Sequence, residues 1–123
     1  MTLEELYAQI GGDYDEAIGR LSMEALVGKF VVKFLDDPSC ANVVTAWKAG
    51  DEKVTFEAAH MAKGVCANLS LTKLANLASE ITEALRPGNE ALRAETDVDA
   101  LVAQLAEAHA AAIAAISEYA ETQ

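Results

Sequence analysis

The sequence predicts an all-α fold, an antiparallel four-helix bundle preceded by one or two short helices, in a single domain of residues 1–123. Hydrophobic residues make up 52% of the chain but aromatic residues only 6%, and the β-branched and aromatic runs typical of several strands are missing. Apolar residues recur instead at intervals of three and four over long stretches. Glycines and prolines interrupt these stretches, which indicates helices joined by short turns.

Short helices are predicted at the start of the chain. Thr2 followed by Glu5 is a capping-box pattern, and Gly11 can end the helix that it opens. Asp13 can cap one or two further turns. Because these helices contain so few residues, they are expected to dock on the bundle rather than to form part of it.

Longer apolar stripes follow. Ser22 and Ser70 are expected to cap the first and the fourth of the helices that these stripes predict, and Thr96 or Asp97 is expected to cap the last. Residues 89–95 are polar and are expected to form a connection. The predicted helices lie at about residues 22–35, 38–49, 53–69, 71–85 and 96–119.

The charge balance excludes several classes of partner. Twenty acidic against nine basic residues give a formal net charge of -11, which repels a phosphate backbone and an anionic membrane surface. The opening Met-Thr-Leu-Glu-Glu lacks the basic and apolar regions of a signal peptide, and no apolar run is expected to be long enough to span a bilayer. We therefore expect a cytoplasmic protein that binds neither nucleic acid nor membrane.

The two cysteines indicate packing rather than chemistry. Cys40 and Cys66 have no metal-like spacing, and Cys66 projects onto the inner face of its predicted helix. Both are expected to be reduced thiols that pack as small hydrophobic residues.

His60 is the residue that core packing does not explain. Within residues 53–69, an apolar sector that contains Ala59 and Cys66 marks the buried face, and His60 projects away from it. Lys63 and Gly64 share the outer face with the imidazole. Because glycine costs about 1 kcal/mol in a helix interior, Gly64 requires an explanation other than helix stability.

A metal site is one alternative for this histidine. Glu57 and His60 form a Glu-x-x-His, the half-motif of di-iron bundles. The only other histidine, His109, has Ala106 three residues before it, so the second copy is absent. Both Glu57 and His60 also project away from the apolar face, whereas such ligands point into the bundle. A metal site is therefore not favoured.

Two further alternatives are a surface histidine without a role and a catalytic base. The first leaves Lys63 and the costly Gly64 unexplained. The second needs a pocket with an orienting or oxyanion group, and the sequence contains no glycine-rich phosphate loop, nucleophilic serine elbow or paired acids. A phosphoryl carrier fits better, since an exposed neutral imidazole can accept a phosphoryl group while a nearby cation pairs with the incoming oxygens.

The residues around His60 also resemble a known family. The segment His60-Met61-Ala62-Lys63-Gly64, followed by Ala67-Asn68-Leu69, resembles the signature of histidine-containing phosphotransfer (HPt) domains, usually written His-x-Leu-Lys-Gly with Ala-Asn-Leu-Gly a few residues on. Ala62 and Ser70 depart from that pattern at two packing positions. The order of the surrounding helices and turns is similar as well, so that the resemblance covers nearly the whole chain.

The resemblance implies a stand-alone four-helix bundle that carries a phosphoryl group in a two-component phosphorelay. His60 would accept the group at Nε2 from the phospho-aspartate of a receiver domain and pass it to another receiver, in a response regulator or a hybrid histidine kinase. Lys63 would face the phosphoryl group, and Gly64 would leave clearance for docking. The apolar rim that the receiver covers would contain Phe56, Met61 and Ala67.

The resemblance has further implications for cofactors and for the orientation of the ring. Magnesium would belong to the receiver, this chain would hold no cofactor, and it would be a phosphocarrier without ATP-dependent kinase activity. The family often places a glutamine near the imidazole, and the comparable position here is Thr82, with Arg86 one turn on. Glu57 is a further candidate for the hydrogen bond that orients the ring. His109 is expected to be a packed or edge histidine.

A second function from a different class fits the same fold. A helical bundle of this kind can act as an adaptor that docks a receiver or kinase domain without accepting phosphate. Phosphoryl labelling of His60 distinguishes the two functions.

Overall fold

The computed structural model describes all residues from 1 to 123 and contains helices without any strand, as the sequence predicts. Eight α-helices and one short 3₁₀ turn make up the chain. In chain order they are α1 (Leu3–Gln9), α2 (Tyr14–Leu21), α3 (Glu24–Lys33), the 3₁₀ turn (Phe34–Asp36), α4 (Ser39–Lys48), α5 (Glu52–Asn68), α6 (Thr72–Leu85), α7 (Glu90–Glu95) and α8 (Val98–Glu121).

Helices α4, α5, α6 and α8 form the bundle. Helix α5 packs between α4 and α6, and α8 packs against both α4 and α6 to close the ring. The turns after α4 and α5 span only a few residues each, so these successive helices run antiparallel. The predicted helical-bundle fold is confirmed.

Three helices precede this ring: the two short helices α1 and α2, and α3 within the segment 22–35 that the sequence predicts to be helical. Helices α1 and α3 pack against α8. Helix α2 packs against α1 and α3. The buried Tyr7 hydroxyl on α1 donates a hydrogen bond of 2.7 Å to the carbonyl oxygen of Leu69 at the end of α5. One hydrophobic core extends from Leu3 to Tyr119, so the N-terminal helices share it with the bundle.

The helix caps follow the sequence in part. The capping box of Thr2 and Glu5 is present, and the Asp13 and Asp97 carboxylates accept backbone hydrogen bonds at the starts of α2 and α8. The caps predicted at Ser22 and Ser70 are wrong. Both serines have a left-handed backbone, with φ of 69° and 54°, and each follows the end of the preceding helix.

The segment predicted as a connection contains the short helix α7, so this prediction is wrong. Helix α7 buries no side chain, which explains why the sequence shows no apolar stripe there. Arg93 attaches it to the bundle, because its guanidinium pairs with Glu52 at 3.2 Å and lies 5.5 Å from the centre of the Trp47 ring. Helix α7 also packs against α6, so contacts with other helices accompany a helix that periodicity does not reveal.

Helix α8 has 24 residues, and an 18-residue window within it reaches a mean hydropathy of 1.4, so by length and composition it could cross a membrane, contrary to the expectation from the sequence. In the structure 28% of that window is buried, and α8 packs against α4 and α6 of the bundle. Its buried residues are Val98, Val102, Leu105, Ala112, Ala115, Ile116 and Tyr119.

Both cysteines are free and buried, as predicted. They lie on adjacent helices, and hydrogen bonding to the Cys40 thiol, together with burial, raises the pKa of the Cys66 thiol. The pair therefore packs between α4 and α5 in its reduced form.

Candidate functional site

Helix α5 holds His60 on its outer face. The Asp51 carboxylate caps the helix by accepting a 3.0 Å hydrogen bond from the Val54 N–H. On the opposite face Ala59 and Cys66 are completely buried against the neighbouring helices. With that face inward, the His60 side chain is exposed to solvent, as the sequence predicts.

The His60 ring rests against an aromatic neighbour. Phe56, one turn earlier on α5, is half-buried, and its ring stacks on the imidazole with a centroid separation of 6.3 Å and an interplanar angle of 15°. The imidazole makes no hydrogen bond with another residue of the chain. Stacking therefore limits the orientation of the ring while both nitrogens stay open to an approaching group.

Lys63 and Gly64 follow His60 on the same face. Lys63 is half-buried and lies one turn beyond the imidazole. A Cβ atom added at Gly64 would meet no heavy atom within 4 Å, so packing inside this chain does not require a glycine. The surface beside His60 thus combines a cation with open space.

A charged pair on α6 completes this side of the site. The Arg86 guanidinium donates to a single Glu83 oxygen, Oε2, from Nε at 3.1 Å and from Nη2 at 2.8 Å. Its Cζ lies 5.5 Å from the centre of the Phe56 ring, the same ring that stacks on His60. Arg86, which the sequence predicts near the imidazole, therefore contacts Phe56, the aromatic neighbour of His60.

Glu83 is the site residue that the sequence reasoning missed. Hydrogen bonds from Arg86 lower the pKa of its carboxyl, and the charges of Lys63 and His60 lower this pKa further. These four side chains form one charged cluster across α5 and α6. The spacing of Glu83 and Arg86, three residues apart on a helix, is the sequence signal that could have found the pair.

Two of the predicted orienting residues do not reach the ring. Thr82 is fully buried, and its hydroxyl donates to the Ala78 carbonyl of its own helix at 2.7 Å. Glu57 is exposed, lies toward α4 and makes no hydrogen bond to His60. The proposed orienting hydrogen bond is therefore absent, and the Phe56 ring contacts the imidazole instead.

The side of His60 that faces α4 carries two exposed apolar side chains. A shallow groove of about 430 Å³ runs between α4 and α5. Met61 and Val54, which are 63% and 44% exposed, border it. Ala67 and Phe56, the other members of the predicted apolar rim, are half-buried. Val54 was not singled out in the sequence, although it lies seven residues before Met61 and so on the same helical face.

The structure offers no ligand set for a metal ion. No three His, Cys, Asp or Glu side chains lie together in an arrangement that could hold one. The Glu57–His60 half-motif accordingly has no second half near it.

His109 is a packed histidine and is separate from this site. Its ring makes an edge contact with Phe34, with centroids 5.9 Å apart, and its buried Nε2 has no hydrogen-bond partner. Burial lowers the pKa of the imidazole, although Asp37 acts in the opposite direction. The packed position agrees with the sequence-based expectation.

Comparison with family models gives one match, to the Hpt domain, over residues 33–115. The chain belongs to the Hpt domain family. The match covers most of the chain and contains α4, α5, α6 and α7 with the whole charged cluster around His60. Searches of curated proteins and of solved structures each found no match.

Membership sets the general role of this Hpt domain. Hpt domains belong to two-component phosphorelay signalling, where they are phosphocarriers rather than kinases and interact with receiver domains. The family that the motif around His60 resembles is therefore confirmed. Family membership does not assign a role to each site residue of this chain. Those roles are proposed below from the geometry of the site.

Proposed function

We propose that this Hpt domain is a cytoplasmic phosphorelay intermediate in which His60 accepts a phosphoryl group from one receiver domain and passes it to another. One observation carries the proposal: His60 is exposed on the outer face of α5, with no hydrogen bond to the chain, one turn before the half-buried Lys63 and the open surface at Gly64. A histidine needed only for stability would be packed, as His109 is.

The transfer balances without a cofactor in this chain. The lone pair of the neutral imidazole Nε2 attacks the phosphorus of the receiver's phospho-aspartate, and the bond between phosphorus and the aspartyl oxygen breaks. The electron pair leaves with the carboxylate, while Nδ1 keeps its proton. The Lys63 ammonium pairs with the phosphoryl oxygens during the exchange. The second receiver reverses these steps with its own aspartate, and each receiver would hold its own magnesium ion.

The two flanks of His60 suit a receiver that covers the imidazole. Met61 and Val54 give an exposed apolar contact on the α4 side, while Phe56 and Ala67 continue the apolar rim along α5. The charged pair on α6 lies on the other flank. Gly64 has no side chain that would obstruct a receiver as it brings its aspartate within bonding distance of the ring.

A transfer assay tests the proposal. The protein is incubated with a phosphorylated receiver, and acid-labile label is measured alongside His60→Gln and His109→Gln variants, each checked for folding by circular dichroism. Label should appear on the wild type and on His109→Gln but not on His60→Gln. Label on His60→Gln would refute the assignment. Receiver binding without any label would favour the adaptor function instead.

A further inference from the structure

The Glu83–Arg86 pair lies at the surface and can rearrange. The side chains are 43% and 40% exposed, and both guanidinium bonds end on one carboxylate oxygen. Exposed ion pairs of this kind are weak because water competes for both partners. If Arg86 left Glu83 to pair with another anion, the packing of the core would not change.

Arg86 and His60 are both neighbours of the Phe56 ring. The guanidinium carbon of Arg86 lies 5.5 Å from the centre of that ring, and the centre of the imidazole lies 6.3 Å from it. Since the arginine side chain is long and planar, it can pair with a phosphoryl group through two parallel hydrogen bonds. The Arg86 side chain is 40% exposed, and a rotation of this side chain toward the imidazole is the movement that the inference requires.

Glu83 competes with a phosphoryl group for the same cations. Arg86 binds the carboxylate directly, and Lys63 and His60 also act on it electrostatically. A phosphoryl group on His60 would bring close to two negative charges to this cluster. The larger anion would attract both cations and repel the carboxylate.

We propose that Glu83 is a positioning residue for phosphoryl transfer: it holds Arg86 in an ion pair while His60 is unmodified and releases Arg86 to the phosphoryl oxygens when His60 carries the group. The inference rests on the proposed function of His60. The bond that forms to phosphorus and the bond that breaks are those described above, and the exchange moves only Arg86. By competing with the phosphoryl group for Arg86, Glu83 weakens the phosphorylated state, so that the group can leave again.

The experiment uses potassium phosphoramidate, a small phosphoryl donor that requires no receiver. Wild type, Glu83→Gln and the control Glu80→Gln are labelled, and intact mass spectrometry follows the labelling rate and the half-life of the label after donor removal. Glu80 is exposed on the same helix and forms no ion pair, so this control makes the same change in net charge. Glu83→Gln should label faster and hold the group longer by about three- to fivefold, with Glu80→Gln like wild type.

An Arg86→Gln variant and the double variant distinguish release of the arginine from simple repulsion. Arg86→Gln should shorten the half-life of the label. If Glu83 acts by holding Arg86, Glu83→Gln should have little further effect in the Arg86→Gln background. A full effect of Glu83→Gln in that background, or equal behaviour of Glu83→Gln and Glu80→Gln, would overturn the inference.

Failure of this inference is distinguishable from failure of the proposed function. If wild type takes up no label at His60 from either phosphoramidate or a receiver, the carrier function itself fails. If wild type is labelled normally and the Glu83 variant matches the Glu80 control, only the role of Glu83 is lost. A direct readout is the NMR signal of the Arg86 Nε–H, which should shift on labelling in the wild type.

Discussion

The His60 and Phe56 rings stack one turn apart on α5, with centroids 6.3 Å apart and planes inclined by 15°. The Arg86 guanidinium carbon lies 5.5 Å from the centre of the same Phe56 ring. Phe56 is therefore a shared neighbour of the imidazole and of the arginine, without a hydrogen bond to either.

Replacing Phe56 tests this arrangement. In Phe56→Leu the imidazole loses its flat neighbour and Arg86 loses the ring beneath it. We expect the rate of His60 labelling by phosphoramidate to fall about two- to fivefold, since the ring spends less time in one orientation. Because Phe56 is only half-buried, thermal unfolding should show a small loss of stability. An unchanged labelling rate would remove Phe56 from ring positioning.

Lys63→Ala tests the cation that faces the phosphoryl group. The ammonium should contribute charge-assisted hydrogen bonds to the transferring oxygens, so its loss should slow transfer from a receiver about tenfold. The matched control is Lys53→Ala, because Lys53 is an exposed lysine of the same helix. Circular dichroism should show both variants folded. Equal rates for the two variants would exclude Lys63 from the mechanism.

Substitution of Gly64 separates helix stability from docking. Gly64→Ala should raise the free energy of unfolding by about 1 kcal/mol, because the added Cβ meets open space and alanine favours the helix interior. Gly64→Gln should also remain folded, yet its side chain projects where a receiver must approach.

A comparison of two donors gives the test of clearance at Gly64. Gly64→Gln should slow transfer from a receiver domain and leave labelling by phosphoramidate nearly unchanged, since the small donor needs no docking surface. Transfer from the receiver at the wild-type rate would show that the glycine is not needed for docking.

Because His109 is packed against Phe34, we expect it to make the stability of the protein depend on pH. Burial lowers the folded-state pKa of its imidazole from the ordinary value of 6.5. Below about pH 6.5 the unfolded chain therefore binds a proton that the folded chain takes up less readily, and stability falls as the pH drops toward the folded-state pKa.

Chemical unfolding at about pH 7.5 and about pH 5.5 measures this effect. His109→Leu should reduce the loss of stability between the two values, because leucine fills a similar space and does not titrate. His60→Gln is the control, because it removes an exposed histidine and leaves the packed one in place. If His109→Leu shows the wild-type loss, another group causes the pH dependence.

The sequence alone determined which face of α5 is buried. In α5 the spacing of Ala59 and Cys66 identified the inner face and placed His60 outside, because the period of the α-helix relates sequence position to direction. The capping box of Thr2 and Glu5 was also predictable, since it depends on neighbouring residues only. The motif at residues 60–64 then indicated the family.

Only the tertiary structure decided which side chains of different helices meet. Periodicity gives the direction of a side chain from its own helix axis, but it does not state which helix packs beside it or at what height. Thr82 and Glu83 are adjacent in sequence, yet the packing of α6 against α5 buries Thr82 and leaves Glu83 beside Lys63 and His60. The charged cluster at the site is therefore a product of helix packing, which the spacing of residues along one chain does not contain.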